Sequence, residues 1–377
     1  MRDKWGETKM EDLLLLSKDT PIAKLINGKV EPLLLERLPV YLQRTGNVEA
    51  WLTSRAIDGH RTNSRLLKKA LRLENKDDLT AVLSVNAATI TDNYWVKPIN
   101  DVTTVYADVR FSINRFDNLA LTGDVNSFIQ PPSRTPELTN TGSYEKCWRL
   151  YNGEWWMIKA GKPEELFSEL LICRIGQLLG FPMAEYEPEG GYIKSRDFTQ
   201  NAKTDFEPAV SIIGDESDYI KIVEALKPYG EQITDDYIRM CYLDALVLNM
   251  DRHEHNFGVL RDSDTGKVLS LAPFYDHNIA LVSRNYPQTS SFEHDMLIND
   301  FTELAHYVKK PIQIHKLTRA DLEKLVRVIP WKLPIRDGVT DPEQFVVRYL
   351  LDRQAYLKEQ NREIIRFQLQ KTADRPR

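Results

Sequence analysis

The chain has 377 residues, 42% of them hydrophobic and 10% aromatic, and a formal net charge of -5. It is too long for one small domain, suits two or three subdomains with a sizeable core, and is not of a disordered composition. The acidic balance argues against a general nucleic-acid binder, whose phosphate contacts need a basic surface, although net charge alone leaves room for a local basic groove.

Cys147, Cys173 and Cys241 lie far apart in apolar or strand-like settings. They read as buried thiols rather than as a zinc site short of one ligand, and a reducing compartment fits them. The N-terminus lacks a charged-then-apolar signal pattern, and no apolar run approaches the roughly eighteen residues of a membrane span. The expectation is a soluble, cytoplasmic protein with no membrane partner.

In chain order, residues 1–125 read as mostly helical. Glu11-Asp12-Leu13-Leu14-Leu15-Leu16 is a short apolar burst, and the run from Asn63 to Leu73 starts on cap-type residues and repeats Leu at helical spacing. The basic residues in that run suit a solvated face better than a nucleic-acid contact, so no direct nucleic-acid binding is expected. No catalytic constellation or fixed-period repeat appears there. Residues 126–136, with Gln130-Pro131-Pro132-Ser133-Arg134-Thr135-Pro136, read as a linker. The next stretch, Thr139-Asn140-Thr141-Gly142-Ser143-Tyr144-Glu145-Lys146, has one glycine among small hydroxyl residues and offers N–H donors to an anion, as a phosphate-covering loop does.

Strand-like runs at 147–151 and 155–159 flank Asn152-Gly153, a hairpin turn signal, and the second ends on Lys159. A helix is predicted over 164–179, closed by Gly180 and Pro182. It is apolar nearly all round, with Glu165, Glu169 and Gly176 in one narrow polar strip. That strip is either the wet face or the place of a carboxylate held by a partner, since an unpaired buried carboxylate is costly. Residues 192–194 resemble a further strand. Helices dominate from about residue 206: Thr234 is a candidate cap for one running to about Leu248, and Asp341-Pro342-Glu343-Gln344 starts a late one.

The most informative residues follow Leu248. Asp251 sits on a loop fed by an apolar helix end, a rigid mount for a group that must meet a hydroxyl. Asn256 comes five residues later and Asp276 twenty beyond that. The residues between read as a hairpin turning at Asp262-Ser263-Asp264-Thr265-Gly266, so the two oxygen ligands return to one place, where they suit magnesium. Arg252 and His253 either hold the loop together or, for His253, face phosphates. His253 and His255 also form a His-x-His pair that invites a metal-hydrolase reading, which lacks a third histidine and leaves Lys159 unexplained.

In this order, a glycine loop ending in Glu145-Lys146, a strand lysine Lys159, a helix glutamate Glu169, Asp251 with Asn256, and Asp276 in Ala272-Pro273-Phe274-Tyr275-Asp276, the chain resembles the HipA-like kinases of bacteria. The similarity covers about residues 135–360 and is most specific over 244–281. It implies an α+β, two-lobed protein-kinase-like fold: a small β-rich lobe over 137–205 and a larger helical lobe over 206–377, preceded by the N-terminal region. It implies ATP and Mg2+ as cofactors, Asp251 as catalytic base, and Asn256 and Asp276 as metal ligands. Gly142, Ser143, Lys159 and His253 would lie at the phosphates, with Glu169 bracing Lys159, and Ile193, Lys194, Ser195 and Arg196 would be the hinge near the adenine.

Family members can phosphorylate their own glycine loop, which makes Thr139, Thr141 and Ser143 candidate acceptors. Some are toxins restrained by an antitoxin, so the resemblance also implies a protein substrate and a candidate DNA-binding antitoxin partner. Residues 1–125 do not look like the family's usual leading subdomain. The Asp-Arg-His-x-x-Asn run also resembles the loop of phosphoinositide kinases, so a lipid or small-molecule acceptor stays open, as does a nucleotide-binding pseudokinase.

Overall fold

A computed structural model describes residues 11–287, 291–336 and 338–368. The chain forms two compact units. The first comprises Met1–Ala160, Glu189–Gly214 and Gly258–Ser270; the second comprises Gly161–Pro188, Asp215–Phe257 and Leu271–Arg377.

In the first unit, β1 (Leu13–Ser17), β2 (Thr20–Ile26), β3 (Lys29–Pro32) and β4 (Tyr94–Pro98) form a sheet of order β3-β2-β1-β4. This sheet departs from the mostly helical expectation for residues 1–125, although short helices such as Val48–Thr53 and Thr62–Ala70 surround it. The four leucines of β1 show why. Leu13 and Leu15 pack with Ile22, Leu25 and Trp51, whereas Leu14 and Leu16 pack with Trp95 and Phe116. A strand buried on both faces is a continuous apolar run, which periodicity alone does not separate from a helix.

The second of those clusters also takes in Leu138, Trp148 and Trp155. Residues 126–136 therefore do not divide two folding units. Arg134 donates to the carbonyls of Val85 (3.0 Å) and Val109 (2.8 Å), and Thr135 and Pro136 are buried.

A second sheet has the order β5-β6-β8-β7, from β5 (Lys146–Tyr151), β6 (Glu154–Lys159), β7 (Tyr186–Glu189) and β8 (Tyr192–Arg196). Asn152 (φ 52°) and Gly153 (φ 83°) make the predicted tight turn, pairing Tyr151 with Glu154. A third sheet orders β9 (Thr204–Pro208), β10 (Gly258–Asp262) and β11 (Val268–Leu271) as β11-β10-β9. Its buried Arg261 donates to Glu207 (2.7 Å), the Leu38 carbonyl (2.9 Å) and Tyr94 Oη (2.9 Å).

The second unit is built on the helices Pro163–Leu179, Tyr219–Leu226, Glu231–Val247, Met296–Val308, Arg319–Arg327 and Pro342–Gln360. A short parallel pair, β12 (Ile312–His315) and β13 (Ile365–Gln368), accompanies them. The first helix ends as expected, with Gly180 at φ 78°, and Asp341 caps the last by accepting the Gln344 N–H. Thr234 does not cap its helix. That helix starts at Glu231 after Gly230 (φ 128°), and the Thr234 hydroxyl donates back to the Glu231 carbonyl at 2.8 Å.

Candidate active site

Five residues predicted from sequence gather in the second unit: Asp251, His253, Asn256, Asp276 and Glu169. The Glu231–Val247 helix, buried over most of its length, stops at Leu248 in the left-handed region (φ 55°). The turn is then locked by Asn249, whose N–H reaches the Asp244 carbonyl (2.9 Å) and whose Nδ2 reaches Asp244 Oδ1 (2.7 Å). The Asp251 carbonyl accepts from the His253 N–H (3.0 Å) and from Asn256 Nδ2 (2.8 Å). The same Nδ2 lies 3.3 Å from Asp251 Oδ2, so the acid and the amide are in contact.

The strands β10 and β11 return the chain to this loop, and Arg252 bridges the two ends of the excursion. Its guanidinium donates to the carbonyls of Asn256 and of Tyr275 (2.9 Å), and sits 2.9 Å from His277 Nε2. Bidentate contact with the buried Asp244 (2.8 and 3.1 Å) holds it in place. Tyr275 Oη adds a hydrogen bond to the His255 carbonyl at 2.9 Å. Asp276 has φ 63°, a backbone state uncommon for a residue with a Cβ, and its N–H lies 3.3 Å from Tyr186 Oη.

Burial pushes the Asp251 carboxyl above the ordinary aspartate value. His253 and Arg284 oppose that rise, and the charge of Asp276 adds to it. Glu169 is fully buried, and its Oε1 accepts the His277 N–H at 3.0 Å. Gly176 packs beneath Met183, whose Sδ lies 2.2 Å from where a Cβ would stand. The polar strip of the Pro163–Leu179 helix is thus interior at these two positions, and Glu169 is tied to the Asp276 loop.

The remaining predicted residues belong to the first unit. Lys159 ends β6, in register with Lys146 and Ile193. Thr141, Gly142 and Ser143 are exposed, and Gly142 has φ 93°. Thr139 differs from its reading as an acceptor: it is buried, and its hydroxyl donates to the Ala88 carbonyl at 2.7 Å. Ile193, Lys194, Ser195 and Arg196 lie within β8, not where the chain passes between units. Ile193 and Ser195 are buried, and Lys194 Nζ lies 3.2 Å from Glu189.

His253 and His255 are exposed with ring centroids 5.9 Å apart, and among the described residues no group of three or more His, Cys, Asp or Glu side chains gathers as a metal cluster. Cys147, Cys173 and Cys241 are buried thiols. Among the described residues no helix is long and apolar enough to cross a membrane. Sequence reasoning missed Asp244, Asn249 and His277. A signal existed for the first two: an acid inside an apolar helix end, with an amide five residues on, beside an arginine.

Residues 151–329 match a family model described as HipA-like C-terminal domain. The comparison with curated proteins finds no match. Among solved structures, the HipA of Shewanella oneidensis, solved with HipB and its operator DNA, is 13% identical with a TM-score of 0.55, covering 92% of this chain and 97% of that one. The Helicobacter pylori proinflammatory kinase CtkA is 17% identical with a TM-score of 0.44, over 58% of this chain and 94% of that one. The fold match to the Shewanella protein extends over 92% of the chain and so takes in most of residues 1–125. The chain is thus a mixed α/β protein with the fold of the Shewanella HipA, and its residues 151–329 are similar to the HipA-like C-terminal domain.

Proposed function

We propose that the chain is an ATP- and magnesium-dependent kinase that transfers the γ-phosphate to a protein serine or threonine. One observation carries the reading: Asp251 touches Asn256 and responds to the charge of Asp276, and Arg252 ties the carbonyls of Asn256 and Tyr275 across the neck of the hairpin. Asp251 accepts the hydrogen bond of the acceptor hydroxyl and takes its proton as the oxygen attacks γ-phosphorus and ADP leaves.

Asn256 and Asp276 fit a magnesium ion. Asn256 commits Nδ2 to Asp251, which leaves Oδ1 as the oxygen of that amide to offer a cation, and the Asp251–Asp276 repulsion is a field that a divalent cation relieves. When bound, magnesium supplies charge neutralisation at the phosphates. By motif order, Lys159 and the 142–146 loop with Gly142 and Ser143 serve the phosphates, residues 193–196 border the adenine, and Thr141 and Ser143 are the candidate self-acceptors. The Shewanella protein was solved with HipB. By that likeness, a DNA-binding antitoxin is the partner proposed here.

The test is transfer from labelled ATP in magnesium, with protein, phosphoinositide and small-molecule acceptors offered side by side. Asp251→Ala is expected to lower transfer by about 10²- to 10⁴-fold, the usual weight of a positioned acid–base group, and Asp276→Ala to lower it through loss of a metal ligand. Transfer unchanged in both variants defeats the assignment, and ATP binding without any turnover in the wild type leaves a pseudokinase.

A further inference from the structure

The loop read as phosphate-covering is fastened at its base by the N-terminal region. Arg61 precedes the Thr62–Ala70 helix, and its side chain is fully buried. One guanidinium nitrogen donates to the Asn140 carbonyl at 2.9 Å and another to the Lys146 carbonyl at 2.5 Å. These carbonyls stand at the two ends of the loop, with the exposed Thr141, Gly142 and Ser143 between them. Glu145 lies 3.9 Å from Arg61 Nε and accepts the Asn63 N–H at 3.1 Å.

A second clamp stands beside the first. The buried Glu137 accepts Asn140 Nδ2 (2.9 Å) on one side of the loop and the Trp148 N–H (2.7 Å) on the other, with Asn114 Nδ2 at 2.7 Å. Two further ties lead to residues before 125: the Ile57 N–H donates to the Leu138 carbonyl at 2.9 Å, and Thr139 donates to Ala88.

A loop that receives an anion with its backbone works only if its ends stand at a set distance. A planar guanidinium fork fixes such a span, because its donors diverge in a rigid geometry; an ammonium is a point donor on a flexible stem. Burying a cation is unfavourable unless its donors are met, so a residue that only filled space would be better apolar.

We infer that Arg61 is a positioning residue for ATP: its fork sets the span of the 141–145 loop from Asn140 to Lys146, so that the N-terminal region governs phosphate binding. The inference rests on reading that loop as the phosphate cover. It assigns Arg61 no contact with substrate.

The experiment uses the full chain with Arg61→Lys, which keeps the charge and removes the fork, and Arg61→Gln, a neutral variant that carries the comparison if the first does not fold. Amide hydrogen exchange without nucleotide reads the clamp itself. Segment 137–148 is expected to be protected in the wild type and to exchange faster in Arg61→Lys, with residues 11–56 unchanged. Steady-state kinetics read the consequence: KM for ATP is expected to rise about tenfold or more, with kcat changing far less, on the scale that small misplacements of a binding group produce.

Exchange unaltered in 137–148, or accelerated across the whole first unit, overturns the inference, the latter because Arg61 would then be a general structural stitch. A loosened loop with wild-type KM also overturns it, while leaving the kinase reading standing. Wild-type protein that neither binds nor turns over ATP overturns the kinase reading and this role for Arg61 together, and the exchange result tells that case apart.

Discussion

At the scale of single residues, Arg252 shows what a buried guanidinium requires. Its five N–H donors meet five acceptors: both oxygens of Asp244, the carbonyls of Asn256 and Tyr275, and His277 Nε2. Glu137 shows the opposite balance. Three donors favour its charged form, yet full burial outweighs them and pushes its pKa up to about 7. Between the ordinary glutamate value and that figure, the folded chain holds a proton the unfolded chain has lost. The contribution of Glu137 to stability is therefore complete below the ordinary value and is lost as pH rises towards 7. Glu137→Gln cannot titrate, so its melting temperature relative to wild type is expected to climb from about pH 5 to about pH 8. A difference independent of pH would show that Glu137 titrates alike in both states.

At the scale of elements, the β10–β11 excursion depends on one close approach. A Cβ on Gly258 would stand 2.2 Å from the Glu207 carbonyl oxygen and 2.9 Å from Pro208 Cα, both backbone atoms of β9. Gly258→Ala is expected to lower stability by roughly 1–3 kcal/mol through overpacking, read by chemical denaturation; an unchanged midpoint would mean that β9 and β10 pair less closely. The elements legible in sequence were those with local signals: the Asn152-Gly153 turn, the Pro163–Leu179 helix with Gly180 behind it, and the helix capped by Asp341. The β1 leucines were not, because both faces of that strand are buried and the alternation disappears. Thr234 was misplaced because a Thr within a helix can satisfy its hydroxyl one turn back, which its residue type does not disclose.

At the scale of the molecule, the first unit draws one core from both sides of the proline-rich stretch. Leu16, Leu67, Trp95 and Phe116 share a cluster with Leu138, Trp148 and Trp155. Each large side chain buried contributes roughly 1.5–3 kcal/mol, so parting the two sides at residue 136 removes several such contributions at once. A fragment beginning at residue 137 is expected to be insoluble or to show non-cooperative melting where the full chain melts cooperatively. A soluble, cooperatively folded fragment would instead restore 126–136 as a domain boundary.

The candidate site residues, their order and their spacing were legible in the sequence, because a turn, a cap or a hairpin is decided by neighbours in the chain: Asp251, Asn256 and Asp276 could be proposed from it. Tertiary structure decided which groups support them. That Glu169 holds the His277 N–H, that Arg252 spans the hairpin's neck, and that Arg61 grips a loop some eighty residues away depend on burial and on partners distant in sequence. Such contacts follow from how apolar surfaces pack, which no local pattern encodes.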